Sequence, residues 1–302
     1  MIYTVTLNPA IDREVSVPSI EFDAVLRATG SRVDCGGKGF NVSRMVAQLG
    51  GTSVALGFVG GRSGQFLQDR MNALGIKTDF VQVDDETRTN VSIVTADGRY
   101  IKVNEKGGRV SAEARQQFLD QVQRLAAPND WWVLAGSLPP DISADFYAQL
   151  TTILTQAGAN VILDASGESL RLGCAAGPFL IKPNHIEAEQ LTGDADPVNA
   201  AHKLQQMGVQ NIVISQGAAG ALLIDSSDSH HVPTPKIQER NPIGAGDAMV
   251  GGIVWGLQNN LSLRESLRWG IACGSMAASL DGTAFGNRTE VETLLASIPA
   301  SS

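Results

Sequence analysis

The sequence predicts an α/β protein, a mostly parallel, helix-covered sheet with a small second sheet serving as a lid. Three observations predict it. Short apolar, β-branched runs alternate with longer amphipathic stretches along most of the chain. Two regions replace that alternation with polar–apolar repeats. From Ile243 onward the pattern is nearly all helical.

Strands are expected at Ile2 to Leu7, Ser53 to Val59, Trp132 to Ala135, Val161 to Asp164, Phe179 to Lys182 and Ile212 to Ser215. The clearest helical patterns between them are Phe40 to Leu49, Gln65 to Leu74, Ala112 to Ala126, Ala144 to Gln156, Ile186 to Leu191 and Val198 to Met207. Arg13 to Val17 alternates polar and apolar residues. So do Asn90 to Val94 and Arg99 to Val103, which flank the turn Ala96-Asp97-Gly98 as a hairpin. Half-apolar strands of this kind suit a lid or a dimer surface, or extra edge strands of the main sheet. Ala245 to Leu257 and Leu263 to Leu280 read as long apolar helices interrupted by glycines. With no repeat, low-complexity tract or Pro/Ser linker, residues 1–302 read as one domain, with lid strands from about 10–35 and 88–106.

Composition narrows the function classes. Hydrophobic residues are 43% and charged residues 18%, an ordinary globular balance. A net charge of −8 makes nucleic acid a poor partner, although a local basic cluster still suits a small anion. The three cysteines, Cys35, Cys174 and Cys273, are widely spaced and form no metal-binding pattern, as expected of free thiols in a reducing cytoplasm. No secretory signal and no membrane span are legible.

The strongest chemical signal is Asn241-Pro242-Ile243-Gly244-Ala245-Gly246-Asp247. A Gly-Ala-Gly turn feeding a helix offers backbone N–H groups to an anion, and Asp247 falls in the first turn. Anion hole and carboxylate together suit phosphoryl transfer, with Asp247 taking a hydroxyl proton; helix capping is the plain alternative. A second glycine-rich segment, Gly36-Gly37-Lys38-Gly39-Phe40-Asn41, also opens a helix. It is not a Walker A loop, since Gly39 follows Lys38, and no dinucleotide fingerprint is present. It suits an anionic or polyhydroxyl ligand, or a tight packing turn. Lys182-Pro183-Asn184-His185-Ile186-Glu187 follows a strand. Its amide and carboxylate suit either a hydrated Mg²⁺ ion or, as the spacing alone favours, a capping box. Ser215-Gln216-Gly217-Ala218-Ala219-Gly220, at another strand end, is small enough to let a nucleotide approach the backbone.

Taken together, these motifs resemble the PfkB family of ribokinase-like sugar kinases, essentially end to end, from Thr6 to about Gly286. Within it, Thr6-Leu7-Asn8-Pro9-Ala10-Ile11-Asp12, Thr87-Arg88-Thr89-Asn90 and Ala135-Gly136-Ser137-Leu138-Pro139-Pro140 resemble the branch of 1-phosphofructokinase, tagatose-6-phosphate kinase and the minor 6-phosphofructokinase. The resemblance implies a three-layer α/β/α ribokinase-like sandwich with a β-sheet lid, often clasped between two subunits, and hence a homodimer. It implies ATP and Mg²⁺ as cofactors and a sugar phosphate as substrate. Asp247 would be the base, with Gly244, Ala245 and Gly246 as its anion hole. Asp12 and Asn41 would bind sugar hydroxyls beside Gly37. Lys38, Arg88, Lys102 and Ser137 would gather round the substrate's existing phosphate. Lys182, Asn184 and Glu187 would contact ATP phosphates and Mg²⁺, Glu187 through water, and Ser215, Gly217 and Gly220 would line the nucleotide site.

Where branch members often carry a Pro-Gly turn after the lid hairpin, this chain has Asn104-Glu105-Lys106-Gly107-Gly108, which adds a charge. The implied reaction is ATP-dependent conversion of a ketohexose monophosphate to the bisphosphate. Fructose 1-phosphate is the first expectation, with fructose 6-phosphate and tagatose 6-phosphate as alternatives. A catalytically idle sugar-phosphate sensor and a nucleotide-cofactor oxidoreductase are the rivals from other classes; the intact Asp247 and the missing fingerprint weigh against them respectively.

Overall fold

Along each central strand, alternate residues enter opposite hydrophobic cores, so both faces of the sheet must be covered. Trp132 and Leu134 pack into one core while Val133 and Ala135 pack into the other. The computed structural model describes residues 1–225, 228–282 and 284–299. Among these, the strands are β1 (Ile2–Thr6), β2 (Ala10–Val17), β3 (Gly30–Gly36), β4 (Val54–Gly60), β5 (Lys77–Val83), β6 (Thr89–Thr95), β7 (Tyr100–Asn104), β8 (Trp131–Ala135), β9 (Asn160–Asp164), β10 (Leu180–Ile181), β11 (Asn211–Ser215), β12 (Ala221–Ile224) and β13 (Ser229–Val232). The helices are α1 (Lys38–Gln48), α2 (Gly61–Ala73), α3 (Ala112–Leu125), α4 (Phe146–Gln156), α5 (Gly167–Ala175), α6 (His185–Thr192), α7 (Pro197–Gln206), α8 (Ala245–Gln258), α9 (Leu263–Ala278) and α10 (Arg288–Leu295).

Nine strands form the main sheet in the order β13-β12-β11-β10-β9-β8-β1-β4-β5, parallel except for the β11–β12–β13 edge. Helices α3 to α7 pack on one face, and α1, α8, α9 and α10 on the other, giving three layers. The chain leaves β1 for β4 and β5 on one side and returns to β8 on the other. The ends of β1 and β8 therefore flank the point where the direction of winding reverses, the usual ligand crevice of an open α/β sheet.

The segments that broke the βα alternation form a separate sheet in the order β3-β2-β6-β7, so they are not edge strands of the main sheet. Pairing register places Asp12, Asp34 and Asn90 on one face of this lid. Arg13, Val33, Val91 and Val103 lie on the other. Its inner end is anchored by Ile11 and Cys35, which pack with Phe40 and the α2 residues Leu67 and Met71. Helices α8 and α9 pack so closely that a Cβ at Gly252 would lie 2.8 Å from the Gly270 Cα and from the Trp269 carbonyl oxygen. This contact is why glycines interrupt these apolar helices.

Candidate active site

The site forms where the carboxyl ends of β1, β8, β9, β10 and β11 meet the N-termini of α1 and α8. Its centre is Asp247, in the first turn of α8. Gly244 caps that helix at φ 83°, a left-handed conformation that glycine adopts without penalty. The Ala245 N–H turns back to the Pro242 carbonyl at 3.2 Å. The amides of Gly246 and Asp247 precede the first bond into the helix, Ala248 N–H to Gly244 O at 2.8 Å. They are the unspent donors of a helix N-terminus, where an anion finds both N–H groups and a favourable dipole.

Asp247 is 8% exposed. Burial, and next the Asp164 carboxylate, push its pKa up to about 6, against the pull of Lys38, Asn41 and Lys182. A carboxylate with that pKa is ionised at neutral pH yet basic enough to share a hydroxyl proton in a transition state. Asn41 Nδ2 donates to Asp247 Oδ2 at 2.8 Å. Arg44 donates to Asn41 Oδ1 at 3.1 Å while stacking over Phe285, so both partners dictate the same orientation of the Asn41 amide. Asn41 thus contacts the carboxylate directly.

Sequence reasoning missed Asp164, the last residue of β9, which is 2% exposed. Its Oδ1 accepts from Lys38 Nζ at 3.1 Å and lies 3.8 Å from Lys182 Nζ. Its Oδ2 is buried with no hydrogen-bond partner among the described residues. Burial pulls the Lys38 ammonium towards neutrality, but Asp164 and Asp247 outweigh it and hold the pKa above the ordinary lysine value. Lys182, 6% exposed, sits against the glycine turn, its Nζ 3.4 Å from where a Gly246 Cβ would be. Two ammonium groups and a buried carboxylate therefore converge beside the glycine turn of α8.

Asn184 and Glu187 form the capping box of α6: the Asn184 side chain accepts from Glu187 N, and Glu187 Oε2 accepts from Asn184 N, both at 2.9 Å. Ser215 bridges to Asn184 and bonds Pro183 O, which brings the 215–220 turn to the same rim. Gly217 and Gly220 carry positive φ there, and a Cβ at Gly220 would collide with Val232 O.

On the lid side, Asp12 Oδ1 accepts from Asn90 Nδ2 at 2.8 Å, with its carboxylate over Gly36. Gly37 caps α1 at φ 139°. Arg88 spends its guanidinium on three backbone carbonyls, Asn8 O at 3.0 Å, Glu105 O at 2.7 Å and Pro9 O at 3.4 Å. Since a guanidinium has five N–H donors, two are left over. Ser137 lies in the loop after β8, where Asn8 Nδ2 reaches its Oγ at 3.3 Å. Lys102 is exposed on β7, with no hydrogen bond or ion pair to the other site residues among those described. The structure thus brings Asp247, Asn41, Lys38, Lys182 and the α8 turn into one contact network, and places Lys102 outside it.

A model of the pfkB family carbohydrate kinases matches residues 5–290. This chain belongs to the pfkB family. The 1-phosphofructokinase of Bacillus subtilis is 36% identical over 283 residues, 92% of each chain. Among solved structures, phosphofructokinase-2 of Escherichia coli, in complex with potassium, superimposes with a TM-score of 0.93 at 32% identity, covering 98% of both chains. A ribokinase of Thermotoga maritima, 21% identical with a TM-score of 0.82 over 98% of this chain and 99% of that one, shares the fold. This pfkB chain is thus a ribokinase-like α/β protein of a carbohydrate kinase family.

Proposed function

We propose that this chain is an ATP-dependent 1-phosphofructokinase, converting fructose 1-phosphate to fructose 1,6-bisphosphate. The observation that carries the kinase chemistry is Asp247, buried at the mouth of an unspent helix N-terminus with two lysines beside it. The substrate assignment follows the name of its Bacillus subtilis relative. The Asp247 carboxylate takes the proton of the attacking hydroxyl as its oxygen bonds to the γ-phosphorus and the bond to the ADP oxygen breaks. The α8 amides and Lys182 bear the charge of the group in transit. Lys38 stands by the same carboxylate network. Ser137 and the leftover Arg88 donors hold the phosphate already on the sugar, and Lys102 adds charge if the lid closes.

The donor set fits a hydrated Mg²⁺, which takes one or two carboxylates and keeps its waters. Asp164 offers a buried oxygen without a partner, and Glu187 spends Oε2 on its cap, leaving Oε1 for a water. When bound, the ion neutralises charge on the nucleotide phosphates. Adenine lies along Ser215 to Gly220. All three cysteines are buried and no disulfide joins them, which suits a cytoplasmic enzyme.

The test is ADP release with Mg-ATP against fructose 1-phosphate, fructose 6-phosphate, tagatose 6-phosphate, fructose and ribose. Fructose 1-phosphate is expected to give the highest kcat/KM. Turnover confined to an unphosphorylated sugar would sink the phosphate-pocket reading, and silence throughout would favour a sensor.

The lid gives the chain a partner surface. Its outward face and loop expose Phe22 (86%), Val25 (91%) and Val103 (60%), large apolar side chains that a second lid would cover. A homodimer clasped through the lids follows. Val103→Asp is expected to shift sedimentation velocity from dimer to monomer; an unchanged dimer would move the interface elsewhere.

A further inference from the structure

Asn8 lies two residues beyond β1, at the point where the winding of the sheet reverses, and is 8% exposed. Its Nδ2 is 3.1 Å from Lys106 O, 3.2 Å from Leu138 O and 3.3 Å from Ser137 Oγ. Two N–H bonds shared among three acceptors tie two separate segments, the loop after β7 and the loop after β8, to one amide. The loop after β7 is pinned by other groups as well. Arg88 donates to Glu105 O at 2.7 Å, Thr89 N donates to Glu105 Oε2 at 2.8 Å, and Arg109 N donates to Asp85 Oδ2 at 2.8 Å. Gly107, at φ 102°, passes so close that a Cβ there would collide with Asn8 Oδ1. No side chain fits between the loop and the amide.

The direction of the Ser137 bond has a chemical consequence. An amide nitrogen can only donate, so the Ser137 oxygen is the acceptor. Its own O–H is then left to donate outward, which is what an anion requires of a hydroxyl. We infer that Asn8 is a positioning residue for the sugar-phosphate end of the site: it fixes Ser137 as an outward donor and hangs the 105–108 loop beside it. The inference rests on the reading of Ser137 as a ligand of the substrate's phosphate.

The experiment is a double-mutant cycle in steady-state kinetics with the full chain, fructose 1-phosphate and Mg-ATP. Asn8→Leu keeps the approximate shape and removes the donor; Asn8→Ala runs the same cycle if the leucine variant does not fold. Either is expected to raise KM for the sugar phosphate about tenfold, with kcat and KM for ATP within about twofold of the parent. In a Ser137→Ala background the same substitution should add no more than roughly a twofold to threefold change, because the hydroxyl it orients is gone. A purely structural role would instead lower kcat or disturb both substrates, and would multiply through in both backgrounds; either result overturns the inference. Ser137→Ala with an unchanged sugar-phosphate KM would overturn the phosphate reading of Ser137 and the inference with it. A Ser137→Ala defect to which the Asn8 substitution adds its full factor would overturn the inference alone.

Discussion

Asp247→Asn is expected to lower kcat by about three to four powers of ten while leaving the binding of both substrates nearly intact, because it removes the proposed base and keeps the shape. Equilibrium binding beside single-turnover rates would separate the two effects, and turnover within tenfold of the parent would refute the assigned role. In the parent, kcat should fall as pH drops through about 6, where the carboxylate protonates. The same variant should be more stable than the parent. Burial and Asp164 raise the folded pKa from 3.8 to about 6, so the folded state holds the Asp247 proton more tightly than the unfolded state does. Stability is therefore greatest below the unfolded value and is lost as pH rises towards the folded one. The penalty at neutral pH is of order 3 kcal/mol. An amide at this position escapes it, so the melting temperature should rise by roughly 5 °C above pH 7, and the gain should vanish near pH 4.

Asp164→Leu is expected to be the most damaging single change in the site. It leaves Lys182, 6% exposed, and the neighbouring Lys38 without their shared carboxylate. Stranding a buried charge in this way costs about 3–5 kcal/mol, measurable by denaturant titration. Asp164→Asn is milder and more informative. Turnover should drop because the lysines lose their anchor. The acid limb of its pH profile should move below the parent's, since the carboxylate that helps raise the Asp247 pKa has become neutral. An acid limb that stays in place, or moves up, would contradict the electrostatic account of Asp247.

The parts of the fold that follow from periodicity were legible. The apolar runs from Ile2 to Ser215 and the lid hairpin are where hydrophobic spacing places them, because burial on both faces, or on one, writes a direct pattern. Strand β3, Gly30–Gly36, escaped individual assignment because it is polar along most of its length and is held by backbone pairing to β2. The four-residue strands β12 and β13 are too short to show a period, and β5 has only Val81 fully buried. In the site, the glycine turns before α1 and α8 announce themselves because few residues other than glycine tolerate their conformation. Asp164 does not: an aspartate ending a strand is ordinary, and only the fold brings two lysines from distant segments to it. Asn41 was legible as a site residue, but its bond to Asp247 was not, since a spacing cannot show which way an amide faces. Asn184 and Glu187 carry a spacing that can serve a helix cap or a ligand and favours the cap, which is the contact the fold makes.

The bond between Asn41 and Asp247 joins residues 206 positions apart, and the Lys38–Asp164 pair joins residues 126 apart. On a ribosome adding about 5–20 residues per second, the amide would wait at least roughly ten seconds for its carboxylate to be synthesised. Helices and parallel strands have time to form during that interval, yet none of those species has a reactive centre. Because α8 carries both the proposed base and the proposed anion hole and packs against α1, the mechanism proposed above requires the N-terminal and C-terminal quarters of the chain to dock before any phosphoryl transfer. Recovery of catalysis after refolding should therefore trail recovery of helical circular dichroism, with competence arriving in the last long-range docking step.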